Sequence, residues 1–167
     1  RLGWLTVTDS MRGQMAAIQA LAVELVDEGV RHVVLSGLGG SSLGPEVLRQ
    51  AFGPVKGYPE LVVLDSTVPA SVQEVATRVD PVHTLFLVSS KSGTTIEPNS
   101  HYRYFRRLVD ASTAPGGSGR NFVAVTDPGT PLERLGLNQR FRHVFRNPPD
   151  LGGRYSVLSY FGLVPAA

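Results

Sequence analysis

Seven consecutive residues, Ser89-Ser90-Lys91-Ser92-Gly93-Thr94-Thr95, carry five hydroxyls and a lysine. That lysine is one of two in the chain, against fourteen arginines. The run lies between a short apolar segment and a helix-like one, which makes it a strand-to-helix loop. Unpaired backbone N–H groups and the positive dipole end at a helix start attract an anion. Each charge-assisted hydrogen bond from such a loop to a phosphate is worth about 1.5–3 kcal/mol. Capping competes for the same residues, because Thr94-x-x-Glu97 has the form of a capping box. One cap uses one hydroxyl, however, and Pro98, which has no N–H to donate, moves the expected helix start one residue later. The surplus hydroxyls point to anion binding.

A second loop reads Ser36-Gly37-Leu38-Gly39-Gly40-Ser41-Ser42-Leu43-Gly44-Pro45. Its glycines let a ligand approach the backbone closely. Gly39 and Gly44 have the spacing of a P-loop, but Pro45 stands where the lysine belongs. Gly37 and Gly39 begin a dinucleotide fingerprint whose third glycine is replaced by Ser42, and Asp65 is placed like a ribose-binding acid. A turn without function would account for the glycines but not for Ser41 and Ser42. A third motif, Gly152-Gly153-Arg154-Tyr155-Ser156, sets an arginine after a glycine pair, so that the guanidinium can reach an anion across bare backbone. The stretch Thr126-Asp127-Pro128-Gly129-Thr130-Pro131-Leu132-Glu133 reads as structure: Thr130 as N-cap, Pro131 as the first helical residue, Glu133 closing the box and Asp127 in the turn. Capping is likewise the role expected of Glu97.

The elements that must position these loops follow from apolar periodicity. Residues 32–36, 61–64, 85–88, 122–125 and 143–145 are short β-branched or apolar runs. The first four are nearly continuous, as in strands covered on both faces. Helix-like segments at 45–52, 69–79, 96–111 and 131–139 separate them, and 10–28 carries one apolar helical face through Met11, Met15, Ile18, Ala22 and Leu25. Gly29 is placed to stop that helix. Alternating strands and helices predict a three-layer α/β sandwich with a five-stranded parallel sheet. Ligands in such folds bind at the carboxyl ends of the strands, where the loops above lie.

Composition bounds the rest. The 167 residues are 42% hydrophobic and 18% charged, which excludes disorder by charge excess. The net charge of +2 argues against a phosphate-backbone binder. Aromatic and basic residues do interleave from His101 to Arg107, but on a helix Arg103 and Arg107 would share a solvated face. With no cysteine there is no disulfide, zinc–thiolate site or thiol nucleophile. The four histidines, His32, His83, His101 and His143, are too scattered to suggest a metal site, and three stand at or beside strand starts. No apolar run is long enough to span a membrane. The flexible stretch from Pro115 to Gly119 reads as a surface loop. We expect residues 1–29 to form a helical extension packed on a domain spanning 30–167. A start at Arg1 and an end inside the apolar Val164-Pro165-Ala166-Ala167 are expected of a piece of a longer protein.

Taken together, the motifs at 39–44, 90–95 and 152–156 resemble those of glucose-6-phosphate isomerases in order and spacing. The resemblance covers residue 30 to the end and corresponds to the first of that family's two sugar-isomerase (SIS) subdomains. Its sheet is SIS-type, Rossmann-like or flavodoxin-like. The opening Arg1-Leu-Gly-Trp-Leu5 is similar to versions fused behind a transaldolase domain. The resemblance implies that Ser90, Lys91, Ser92, Thr94 and Thr95 bind the phosphate and that Gly40 and Ser41 touch the sugar. It also implies that Arg154 stabilises an enediolate as a proton moves between C2 and C1. No cofactor or metal is implied. The implied partner is glucose 6-phosphate or fructose 6-phosphate, and the implied setting is a cytoplasmic homodimer that binds neither nucleic acid nor membrane. This chain has Ser92-Gly93 where many members have Thr-Phe, and Ser42 where many have Asp. The family's glutamate base and ring-opening histidine would lie beyond residue 167, so residues 1–167 alone are expected to bind phosphosugar without turning it over. Two alternatives stay open: a non-catalytic SIS sensor of sugar phosphates, which would not need Arg154, and a nicotinamide-dependent oxidoreductase.

Overall fold

The computed structural model describes residues 2–114 and 116–167; Arg1 of the opening motif and Pro115 of the glycine-rich loop lie outside the described residues. All five apolar runs form strands: β1 (His32–Ser36), β2 (Glu60–Leu64), β3 (Thr84–Ser89), β4 (Phe122–Thr126) and β5 (His143–Arg146). Every neighbouring pair is parallel, in the order β2-β1-β3-β4-β5. Each residue of β3 and β4 is buried and those of β2 are buried or half-buried, whereas β5 leaves His143 and Arg146 exposed. This is why the inner runs read as continuous and β5 does not.

Among the described residues seven α-helices flank the sheet: α1 (Val7–Arg12), α2 (Met15–Asp27), α3 (Leu43–Phe52), α4 (Pro69–Arg78), α5 (Ile96–Ser112), α6 (Pro131–Asn138) and α7 (Tyr160–Ala166). The chain runs from β1 outward to β2, then crosses back over β1 to β3 and on to β4 and β5. Right-handed crossovers that travel in opposite directions leave their helices on opposite faces. Accordingly α4, α5 and α6 share one face, with Val75, Phe105, Val109 and Leu132 in one core cluster. The other face is covered by α1, α2 and α7, whose Met11, Ile18, Leu21, Leu25 and Phe161 pack with Leu35, Leu87 and Val125 of the sheet.

The single helix expected over 10–28 is two. α1 begins earlier, at Val7, and the chain breaks at Gly13 before α2 resumes at Met15. Glycine is a poor helix former, and at the break the Gln14 N–H bonds to the Met11 carbonyl at 2.9 Å, one residue short of the helical partner. The apolar stripe survives because both helices keep the sheet as their partner. Gly29 ends α2 at φ +72°.

Phe86 of β3 lies between the rings of Phe105 and Phe122, at 4.7 and 5.3 Å between centroids. Phe105 is 1% exposed. Truncating it with Phe105→Ala opens a cavity under α5 and is expected to lower the unfolding free energy by about 3–5 kcal/mol, measured by urea denaturation.

Candidate functional site

Strand order reverses between β1 and β3: the chain leaves β1 toward β2 on one side and leaves β3 toward β4 on the other. The loops that follow these two adjacent strands diverge and open a crevice at the carboxyl edge. They are the glycine loop that starts after Ser36 and the hydroxyl loop that starts after Ser89.

The hydroxyl loop is organised by its own side chains. Ser90 continues the ladder through its N–H to the Val125 carbonyl at 3.0 Å, and its Oγ meets Thr95 Oγ1 at 2.9 Å. The Gly93 N–H donates to Ser90 Oγ at 3.1 Å. Ser92 Oγ lies 2.9 Å from Thr94 Oγ1 and accepts the Thr94 N–H at 3.2 Å. Gly93 has φ +68°, and a Cβ there would fall 2.8 Å from the Thr130 side chain and 2.9 Å from the Leu132 nitrogen. Only glycine lets the loop press this closely on the start of α6.

The expected box between Thr94 and Glu97 does not form. α5 begins at Ile96 with Thr95 as its N-cap, and the Thr95 side chain makes no capping bond because it is engaged with Ser90. Pro98 is therefore the third helical residue, where an N–H would have no partner within the helix anyway. A 17-residue helix thus starts without a side-chain cap next to exposed Ser92 and Thr94. At α6 the first half of the box forms, with Thr130 Oγ1 accepting the Glu133 N–H at 3.2 Å, while the Glu133 carboxylate reaches past the N-cap to accept from the Gly129 N–H. The Arg146 guanidinium, followed by that N–H, holds the Glu133 carboxyl below the usual carboxylate range.

The Lys91 side chain takes another direction. Its ammonium is ion-paired with the Asp127 carboxylate and donates to the Pro149 carbonyl at 3.2 Å. Asp127 is therefore more than a turn residue. No motif pointed to it, because residues 91 and 127 meet only through the pairing of β3 with β4.

The glycine loop folds as a 3-10 turn, Gly39–Ser41, leading into α3. It packs on a second 3-10 turn, Gly153–Tyr155, which carries Arg154. A Cβ on Gly40 would lie 2.0 Å from the Gly153 carbonyl oxygen, so the two backbones touch there. Ser156 Oγ bridges them, at 2.7 Å to the Gly153 carbonyl and 3.4 Å to that of Gly40. Ser41 is buried, and Ser42 turns back to the Gly39 carbonyl at 3.4 Å. Arg154 is exposed and makes no ion pair among the described residues. Asp65 is exposed beyond β2.

His32, His83 and His143 stand at or beside strand starts, far from this edge. His101 differs from them. It is 2% exposed on α5, with Nδ1 2.8 Å from Ser36 Oγ and Nε2 3.1 Å from the Ser66 carbonyl. A carbonyl only accepts, so Nε2 carries the proton and Nδ1 accepts from the Ser36 hydroxyl. His101 thereby ties α5 to the end of β1 and to the loop after β2. Its spacing from Phe105 and Val109 on the buried face was the available signal.

A cavity lies elsewhere, away from these loops. It measures about 580 Å³ and is lined by apolar side chains such as Ile18, Leu21, Leu48, Phe52 and Leu61. No helix of the described residues is long and apolar enough to cross a membrane.

A family model described as phosphoglucose isomerase matches residues 5–167. A glucose-6-phosphate isomerase of Staphylococcus saprophyticus is 32% identical over 173 aligned positions, which take in 99% of this chain and 39% of that protein. The chain thus spans about two fifths of that relative's length. Among solved structures, a hypothetical protein of Thermus thermophilus superposes with a TM-score of 0.88 at 30% identity, over 98% of this chain and 38% of its own. A glucose-6-phosphate isomerase of Chlamydia trachomatis superposes at 0.76 and 30% identity, over 89% of this chain and 28% of its own.

Burial lowers the proton affinity of His101 below its ordinary value near 6.5; the Ser66 carbonyl and the Glu97 and Asp65 carboxylates pull the other way more weakly. The unfolded chain therefore binds this proton more readily than the folded one. The stability associated with neutral His101 is intact above pH 6.5 and is lost as pH falls through the lower folded value. Urea unfolding at pH 7.5 and pH 5 is expected to show that loss in the wild type, and a smaller one in His101→Gln, which does not titrate.

Proposed function

Because this chain belongs to the phosphoglucose isomerase family, we propose that it is the sugar-phosphate-binding part of a glucose-6-phosphate isomerase. The phosphoryl group sits on the hydroxyl loop, held by the hydroxyls of Ser90, Ser92, Thr94 and Thr95 and by the loop backbone at Lys91. One observation carries this reading. α5 begins without a side-chain cap, so its dipole and first N–H groups are offered to a ligand, while hydroxyls cluster in the loop before it.

The rest follows from the length of the substrate. In a hexose 6-phosphate the phosphoryl group and the reacting C1 and C2 atoms stand at opposite ends. If C6 is fixed over β3, the sugar extends toward the glycine turn with Gly40 and Ser41, and C1 and C2 approach the Arg154 turn packed beside it. Moving a proton from C2 to C1 passes through a cis-enediol, whose developing oxyanion needs a positive partner. An exposed guanidinium without an ion pair can turn to meet it, and it matters most where charge builds up during reaction. The glutamate that moves the proton and the histidine that opens the ring are assigned to the part of the protein beyond residue 167. In the same reading the protein needs no cofactor, works as a cytoplasmic homodimer in glycolysis and gluconeogenesis, and carries residues 1–29 as an extension on the 30–167 domain.

In the full-length protein, Arg154→Ala is expected to lower kcat for glucose 6-phosphate by about 10²–10³, the range seen when one oxyanion partner is removed, with phosphosugar affinity kept within a few-fold. A wild type that binds glucose 6-phosphate without turnover would favour the sensor. A wild type that fails to bind it would end the proposal.

A further inference from the structure

We propose that Asp127 is a positioning residue, and that with Lys91 it forms a strut setting the distance between the phosphate loop and the Arg154 turn. This rests on the function proposed above and assigns the Lys91 ammonium a role other than direct capture of the phosphoryl group.

The geometry joins three loops. Residue 127 holds residue 91 at two points: its N–H donates to the Lys91 carbonyl at 3.2 Å, and its carboxylate pairs with the ammonium. A second hold on the same carbonyl comes from Thr126 Oγ1, at 3.5 Å. The ammonium then donates to the Pro149 carbonyl at 3.2 Å, five residues before Arg154 on the segment that leaves β5. Loops after β3, β4 and β5 are thus tied by one side chain. The pair is largely covered, at 19% and 17% side-chain exposure, so it is screened less than a surface pair.

The Lys91 side chain leaves the chain just past the end of β3. Ser90 extends β3 by one ladder bond and turns its hydroxyl to Thr95. Lys91 stands in the bend that follows, and its side chain turns to Asp127 and Pro149 instead. The phosphate loop therefore offers hydroxyls and backbone N–H groups on its crevice side and uses its lysine behind them. A lysine ammonium has three donors; two are committed, and neither faces the hydroxyl cluster.

A double-mutant cycle in the full-length protein tests this. Asp127→Asn keeps the backbone N–H and removes the ion pair, and Lys91→Met keeps the length of the side chain and removes the charge. Each is expected to lower kcat by roughly tenfold to a hundredfold, the scale of a misplaced catalytic group. The double mutant should be no worse than the poorer single, with the dissociation constant for inorganic phosphate staying within about threefold. Additive losses would overturn the strut. So would Lys91→Met weakening phosphate more than about tenfold while Asp127→Asn does not, the signature of a direct ligand. Hydrogen exchange at the Tyr155 and Ser156 amides gives a reading independent of ligand: both substitutions should speed it equally, and unchanged exchange would overturn the strut. If wild type binds no phosphate, the functional reading fails and the exchange result alone decides.

Discussion

The parallel pairing of β1 with β3 is the constraint on which the site depends. Ser36 and Val88 are registered partners, so the two loops that follow leave the sheet at the same level. Because the chain then travels in opposite directions, no connection covers the gap between them. The hydrophobic effect supplies this arrangement indirectly. A sheet whose inner strands are buried on both faces needs helices above and below, and the reversal of strand order delivers α3 to one face and α5 to the other. The crevice is what remains between them.

Within it, two kinds of cation are handled differently. Lys91 is held by a carboxylate and a carbonyl, while Arg154 stands exposed without an ion pair among the described residues. A paired charge fixes geometry and an unpaired one remains available to a ligand, and chain position alone does not distinguish the two. The loop presents hydroxyls already arranged by mutual hydrogen bonds, so under the proposed function little ordering is left for the moment of binding. His101 adds a second tie beneath the same edge, from α5 to Ser36 and to the Ser66 carbonyl.

The sheet was legible in the sequence because buried parallel strands leave uninterrupted apolar runs, and the strand–helix alternation then prescribes its direction. The loops were legible because glycine and hydroxyl clusters are rare inside packed elements. Contacts between loops were not. Asp127 reads as a turn residue because its partner is 36 positions away and meets it only once β3 and β4 are side by side. The spacing of His101 from Phe105 and Val109 signalled its burial, but nothing local indicates Ser36 and Ser66 as its neighbours. The break at Gly13 was hidden by an apolar stripe that continues unbroken across two helices. At Thr94 the local capping pattern was misleading, because the competing bonds within the loop draw Ser92 and Thr95 into other pairings.

The contact between Gly40 and the Gly153 carbonyl leaves no room for a methyl group. Where the two turns meet they are therefore bare peptide, and residue 40 cannot gain a side chain unless one turn moves off the other. Any change at residue 40 must displace the whole Arg154 turn, so the position of that guanidinium is tied to the shape of the glycine turn.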